Sequence, residues 1–421
     1  MDGERTRPPK TIDWPSHDES SVPYAVYIDP EIFAAEQERI FQGPTWSYLG
    51  IESEVPKAGD FVSTYIGTTP VVFNRGRDGQ LHAFVNRCAH RGAAVVRERR
   101  GNCKVHTCIY HQWSYDAEGN LVGLPYRRGL NGSGGFPEDF KLENHGLRRV
   151  RVAGIQGLVF GSLSDDVPAL EDFLGDAVCD RLRRVFKRPL KLLGFQRQRI
   201  GANWKLMVEN VKDSYHGALL HAFNSRFGFF RSTQRGDVRM TSGGIHGMLT
   251  TYSTQREEVA SAFDQVATFK PTLILEDMSI VKFTREHDDE IVTSIISLFP
   301  SCLILHGGTF LIIRQVRPRS VGEFDMIWTI VGFEGEGPEL DALRVKQTAN
   351  LLGPAGYVSM EDAEAIEITQ RALTGEGGGG QGVVALGGRS VEDQNHLVTE
   401  VAIRGFWKGY RRLMGFAPNP S

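Results

Sequence analysis

The chain has 421 residues, with 48 Lys plus Arg against 51 Asp plus Glu and a formal net charge of -3. That near-balance argues against a nucleic-acid binder, which carries a basic surplus. With 41% hydrophobic and 24% charged residues, disorder throughout is excluded, and at roughly 150 residues per domain two or three domains are expected.

The opening MDGERTRPPK has charges of both signs and no apolar run, so no secretory signal is expected. Asp29-Pro30 opens a predicted helix, PEIFAAEQERIF. From Trp46 to Gly161 the pattern changes to short alternating runs such as FVSTYIG and GLVFG. Arg77-Asp78-Gly79 marks a hairpin turn there, and the block predicts a small all-β domain. SDDVPALEDF (164–173) reads as a connector entering a helix. KLLGFQRQRI reads as a strand, and residues 203–223 as a helix. Residues 291–313 carry no charge and are long enough to span a bilayer, but Pro300, His306 and Gly307-Gly308 interrupt them. They read as buried strands turning at the glycines. Residues 344–373 are helical around a Gly353-Pro354-Ala355-Gly356 break, GEGGGGQG (375–382) is a flexible loop or lid, and the last helix covers about 397–414. Lys408, Arg411 and Arg412 there suit the negative end of the helix dipole.

Five cysteines, an odd count, argue against a disulfide framework and for metal or catalytic roles in a cytoplasmic protein. Four residues of the β block form matched pairs: Cys88 and His90 in NRCAHRG, Cys108 and His111 in CIYHQW. Two thiolates and two imidazoles can load one iron with sulfur and the other with nitrogen, the donor set of a Rieske [2Fe-2S] centre. A structural zinc site is the alternative, but such sites commonly group Cys with Cys and His with His. Cys103, between the pairs, reads as a bystander. Arg97, Arg99, Arg100 and Lys104 read either as a solvated loop or as a basic rim that steers an acidic electron donor.

The second constellation is ENVKDSYHGALLH, with Glu209, Asn210, Asp213, His216 and His221. Five residues on a regular helix advance by about 500°, so the two imidazoles would point about 140° apart. To share a metal they need a π-bulge or a break near Gly217; otherwise one is simply buried and the other exposed. A facial triad also needs a carboxylate, and in GPAGYVSMEDAEAIE spacing leaves Glu361, Asp362 and Glu364 open.

Taken together, CAHRG, CIYHQW, NWKLMVENVKDSYH-x4-H and GPAGYVSMED resemble the large (α) subunit of Rieske-type aromatic-ring-hydroxylating oxygenases, over nearly the whole chain. The closest likeness is to the salicylate 5-hydroxylase, anthranilate and terephthalate branch. The resemblance implies an α+β architecture, an N-terminal all-β Rieske domain plus a catalytic domain with an antiparallel sheet covered by helices. The expected boundaries are residues 1–42 for an arm and helix packing with the catalytic domain, 43–163 for the Rieske domain and 164–421 for the catalytic domain. It further implies a [2Fe-2S] cluster on Cys88, His90, Cys108 and His111, and a mononuclear Fe(II) on His216, His221 and Asp362. Asp213 matches the family's bridging aspartate, which links the iron to the cluster of a neighbouring subunit. Arg314, in FLIIRQVRP, matches an arginine that contacts substrate carboxylate in the terephthalate branch, and Leu397 stands where that branch places a second arginine. The implied activity is hydroxylation of a salicylate- or anthranilate-like benzoate, with terephthalate or a halobenzoate as alternatives. Implied partners are a ferredoxin, an NAD(P)H-dependent reductase and a small β subunit, in an α trimer or α3β3 assembly. An electron carrier without oxygen chemistry and a zinc-stabilised ligand-binding protein are the competing classes.

Overall fold

The computed structural model describes residues 12, 14, 18–227, 229–231, 234–253, 270 and 272–416. The chain divides into two compact units, one spanning Phe41–Leu170, the other comprising the described residues up to Ile40 and from Glu171 onward.

The first unit is all β. A seven-stranded antiparallel sheet runs β1 (Ser47–Ile51), β2 (Asp60–Ile66), β3 (Thr69–Arg75), β4 (Leu81–Val85), β5 (Arg100–Asn102), β9 (Arg149–Ile155) and β10 (Leu158–Ser162), in the order β1-β10-β9-β4-β3-β2-β5. A second sheet of three short strands holds β6 (His106–Thr107), β7 (Ser114–Tyr115) and β8 (Leu121–Gly123). The expected hairpin turn joins β3 to β4: Gly79 takes φ +78°, and the Asp78 side chain accepts the Gln80 N–H at 3.0 Å. Phe61, Val72, Phe84, Trp113, Tyr115 and Leu121 fill the core behind Cys88 and Cys108.

The second unit is built on another seven-stranded antiparallel sheet. Its strands are β11 (Leu190–Ile200), β12 (Gly236–Thr241), β13 (His246–Tyr252), β14 (Ile291–Leu298), β15 (Cys302–Gly307), β16 (Phe310–Ser320) and β17 (Glu323–Phe333), in the order β11-β17-β16-β15-β14-β13-β12. The uncharged run 291–313 thus supplies β14, β15 and the start of β16, and no helix among the described residues is long and apolar enough to cross a membrane. These strands sit mid-sheet with both faces covered, which explains why their apolar residues run on without alternating. Helix α1 (Trp204–Lys212) lies against β14 and β16, while α2 (Ser359–Gly375) and α3 (Val401–Met414) both pack on α1.

Three local expectations are corrected. The predicted helix 203–223 breaks twice: α1 stops at Asp213, which is extended (φ −77°, ψ 112°), and short helices cover His216–Leu219 and Ala222–Phe227. The final helix begins at Val401 rather than near 397; Arg411 and Arg412 do fall in its last turn, where Arg411 is also buried over the Trp14 ring and pairs with Glu19 at 3.2 Å. Part of GEGGGGQG is ordered: Gln381–Val383 pairs antiparallel with Ser21–Pro23. Gly378 explains the glycines, since a Cβ there would lie 2.6 Å from Ile28 and its φ is +78°.

Candidate metal centres and substrate pocket

Two loops of the first unit carry the Cys/His pairs, and their backbones repeat one another. The Cys88 N–H donates to Ala93 O and Gly92 N–H returns to Cys88 O; likewise Cys108 N–H donates to Trp113 O and Gln112 N–H returns to Cys108 O. The closing residue is left-handed in each, Gly92 at φ +76° and Gln112 at φ +59°. Two matched loops therefore present two buried thiols and two imidazoles, with the His90 and His111 ring centres 4.4 Å apart. Trp113 stacks on His90, and the Tyr115 hydroxyl lies 3.3 Å from Cys88 Sγ while accepting the Ala89 N–H. Nδ1 of His90 is buried without a hydrogen-bond partner. Desolvation and the neighbouring His111 hold that ring below its ordinary pKa, which leaves Nδ1 an unmatched polar atom of a neutral ring. Such an atom is costly unless something coordinates it. The site fits a cluster held by two sulfurs and two nitrogens. Cys103 stands apart, its Sγ 3.3 Å from His106 Nδ1. Arg97, Arg99, Arg100 and Lys104 are all exposed; Arg100 reaches Glu54 at 3.3 Å.

In the second unit the break between the two short helices brings His216 and His221 round to one point. Their Nε2 atoms each lie 3.4 Å from the same oxygen, Asp362 Oδ1, and one ligand atom from each of the three residues lies within 4.8 Å of the others. Of the three carboxylates that spacing left open, Asp362 faces the imidazoles. Glu361 turns outward to His221 Nδ1 at 3.1 Å, and Glu364 is exposed near Arg371. The outer nitrogens fix the tautomers. His216 Nδ1 donates to the Asp213 backbone carbonyl at 2.9 Å, closer than the Asp213 carboxylate at 3.6 Å. His221 Nδ1 donates to Glu361. Both rings therefore aim Nε2 at Asp362, and the outward bonds of Nδ1 leave Nε2 as the nitrogen a metal would take in place of a proton.

The electrostatics agree. Burial pushes Asp362 up, but His216, His221 and Arg314 outweigh it and hold the carboxyl below its usual range. Burial also opposes charge on His216, yet Asp213 and Asp362 overcome it and raise the ring to about 10. The site demands positive charge at this point, and a divalent cation between two imidazoles and a carboxylate supplies it.

The triad opens on a cavity of about 270 Å³. Phe223, Phe229, Phe230, Leu249, Ile295 and Leu305 give it apolar walls, and among the described residues Arg314 is the one arginine or lysine lining it. Sequence reasoning gave no role to Asn210, whose Nδ2 donates to Asp362 Oδ1 at 3.1 Å; no spacing signal marks it. The same is true of the stack of Phe223 on Tyr357, 5.1 Å apart and parallel within 3°, which joins the His221 segment to the Gly353–Gly356 turn region.

The sequence matches the family described as ring hydroxylating alpha subunit (catalytic domain) over residues 179–415, and the Rieske [2Fe-2S] domain over 45–133. The chain belongs to the ring-hydroxylating oxygenase alpha subunits. It is 44% identical to the anthranilate 1,2-dioxygenase large subunit of Burkholderia cepacia, covering 96% of both chains. It is 39% identical to the salicylate 5-hydroxylase large oxygenase component of a Ralstonia species (98% of this chain, 99% of the other) and to a Comamonas terephthalate 1,2-dioxygenase alpha subunit (96% and 98%). The naphthalene 1,2-dioxygenase structure from a Rhodococcus species superposes with a TM-score of 0.79 at 25% identity, covering 95% of each chain. This alpha subunit is accordingly a Rieske non-heme iron oxygenase with a [2Fe-2S] cluster and a mononuclear iron, the oxygenase component of a multicomponent system. Electron carriers and zinc-stabilised binding proteins are thereby set aside.

Proposed function

We propose that this alpha subunit hydroxylates an aromatic acid with a single carboxylate, of salicylate or anthranilate type, and that Arg314 receives that carboxylate. One observation carries the reading. Arg314 is 3% exposed on β16, its Nε is buried without a hydrogen-bond partner, and among the described residues no carboxylate lies within ion-pair distance of it. Burial lowers its pKa to about 10 against the field of Asp362, so the guanidinium remains charged where it lines the cavity. A buried charge of this kind is costly until an anion meets it, and the planar fork can bind both oxygens of a carboxylate and set the ring's orientation. The relatives named for anthranilate, salicylate and terephthalate all take aromatic carboxylates. A dicarboxylate needs a second cation. Here Leu397 is fully buried against Val238, Leu249 and Val401, and among the described residues the cavity lining has no second arginine or lysine.

In this reading Cys88, His90, Cys108 and His111 hold the cluster, and His216, His221 and Asp362 hold the iron. When bound, the iron supplies oxygen activation and the cluster supplies electrons, delivered by a reductase and ferredoxin. The chain's own residues position and insulate. Arg314 orients the substrate, the phenylalanines exclude water, Glu361 keeps the proton on His221 Nδ1, and the Asp213 carbonyl keeps it on His216 Nδ1. Asp213 is the proposed link to the cluster of a neighbouring subunit.

Arg314→Met keeps bulk and removes charge. Loss of a charge-assisted bond worth roughly 1.5–3 kcal/mol raises the apparent KM for salicylate or anthranilate about tenfold to a hundredfold. Thermal stability stays at or above wild type, and turnover of neutral aromatics is little changed. Equal losses on charged and neutral substrates, with a large fall in stability, would assign Arg314 to the fold.

A further inference from the structure

We infer that Glu286, His287 and His306 form a second divalent-metal site, separate from the iron site and on the other face of the catalytic sheet. The register fixes the face. Leu305 lines the substrate cavity, so His306, the next residue on β15, points to the opposite side, where its cross-strand neighbour Ser294 meets Arg181 of helix Asp176–Val185. There a cavity of about 140 Å³ is lined by Glu286, His287 and His306 among others. One ligand atom from each of the three lies within 4.8 Å of the others. Donors held about 2 Å from one zinc ion lie about 3–4 Å from one another, a spacing these side chains reach by small rotations.

The bonding pattern points to a missing cation. His306 is 5% exposed; its Nε2 lies 3.1 Å from Glu286 Oε2, and its Nδ1 is buried with no hydrogen-bond partner. Nε2 of His287 is also buried and unpartnered, and the two ring centres are 5.4 Å apart. A buried, orphaned nitrogen of His287 next to the His306 Nε2–Glu286 Oε2 contact, where an ion could replace the shared proton, is rarely left unmatched in a folded protein. Glu286 is positioned as a ligand rather than consumed as an ion pair. Its Oε1 is gripped by Arg344, whose own charge is shared with Glu336 and whose Nη1 donates to Thr309 O. That grip orients Oε2 towards His306, the supporting arrangement that metal-binding carboxylates use. Two neutral imidazoles and one carboxylate suit Zn(II), Co(II) or Fe(II). The bound ion would tie the segment before β14 to β15.

The test is zinc uptake by the iron-loaded holoenzyme, with iron and acid-labile sulfide measured on the same samples. Wild type is expected to take up one Zn2+ per chain with iron and sulfide unchanged, and His287→Ala, at a half-buried position, to bind it at least about tenfold more weakly. Crystals soaked in Zn2+ should show an anomalous peak between His287 and His306, a readout independent of how the variant folds. Equal uptake by wild type and His287→Ala, uptake matched by loss of iron, or soaked crystals without that peak would each overturn the site.

Discussion

Nδ1 of His221 lies 3.1 Å from Oε2 of Glu361, the residue immediately before Asp362. One helix start thus supplies both a carboxylate that faces the triad and a carboxylate that steadies one of its imidazoles. Glu361 also accepts the Ala222 N–H at 3.3 Å through its other oxygen. Removing such a supporting partner typically weakens metal affinity about 10–100-fold. Glu361→Ala should lose iron to a chelator in that range while the visible cluster spectrum persists. Glu361→Gln, whose amide oxygen can still accept, should lose less. Iron retention equal to wild type in the alanine variant would show that His221 needs no such support.

The cluster assignment makes a count. About three irons per chain are expected, two of them with inorganic sulfide. Cys108→Ser should abolish the visible spectrum and leave about one iron per chain. Because the second metal site can take zinc without sulfide, sulfide is the deciding measurement; its absence from wild type would remove the cluster from this protein.

Asp213 has two parts that can be tested apart. Its carbonyl holds His216 Nδ1, while its Oδ1 accepts the N–H groups of Tyr215 and His216 at 2.9 and 3.2 Å. Asp213→Asn keeps an acceptor for the turn and removes the charge. We expect the asparagine variant to retain iron, cluster and thermal stability yet lose turnover by at least about a hundredfold. Asp213→Ala, which also loses the turn, should additionally shed iron. Near-normal product formation by Asp213→Asn, with the cluster reduced at full speed, would exclude a bridging role for its charge.

Lys212 gives a pH prediction for stability. It is buried without a carboxylate partner among the described residues, its Nζ 3.4 Å from Ile245 O, and burial lowers its pKa from 10.5 to about 7. Between those values the unfolded chain binds the proton and the folded chain does not, so stability falls as pH drops from 10.5 towards 7 and levels off below. Lys212→Met removes that slope. Its gain should be largest at or below pH 7, with an upper limit of about 5 kcal/mol, and vanish near pH 10.5. Melting curves of both proteins across this range should converge at the alkaline end. A constant difference at all pH values would mean that packing, not charge, sets the effect.

Much of the chemistry was legible in the sequence because it depends on residue identity at short spacing. C-x-H and C-x2-H each close a loop over five or six residues, and both Cys/His pairs fall where a tight turn must present them. The strands of 291–313 were readable from composition, since a charge-free run cut by Pro300 and Gly307-Gly308 is too interrupted for a helix. Spacing alone could not say how His216 and His221 converge. Helical periodicity places them about 140° apart, and only the break at Leu220–His221, between the two short helices, brings them together. Nor could it choose Asp362 over Glu361 or Glu364, since all three carboxylates lie within one turn and differ only in the direction each faces. That choice is tertiary, made where α2 packs against α1 and Asn210 reaches Asp362. The same holds for Arg314. The sequence shows a cation in an apolar strand, but whether a carboxylate of the chain neutralises it or the cavity leaves it for a ligand depends on which side chains the fold brings near.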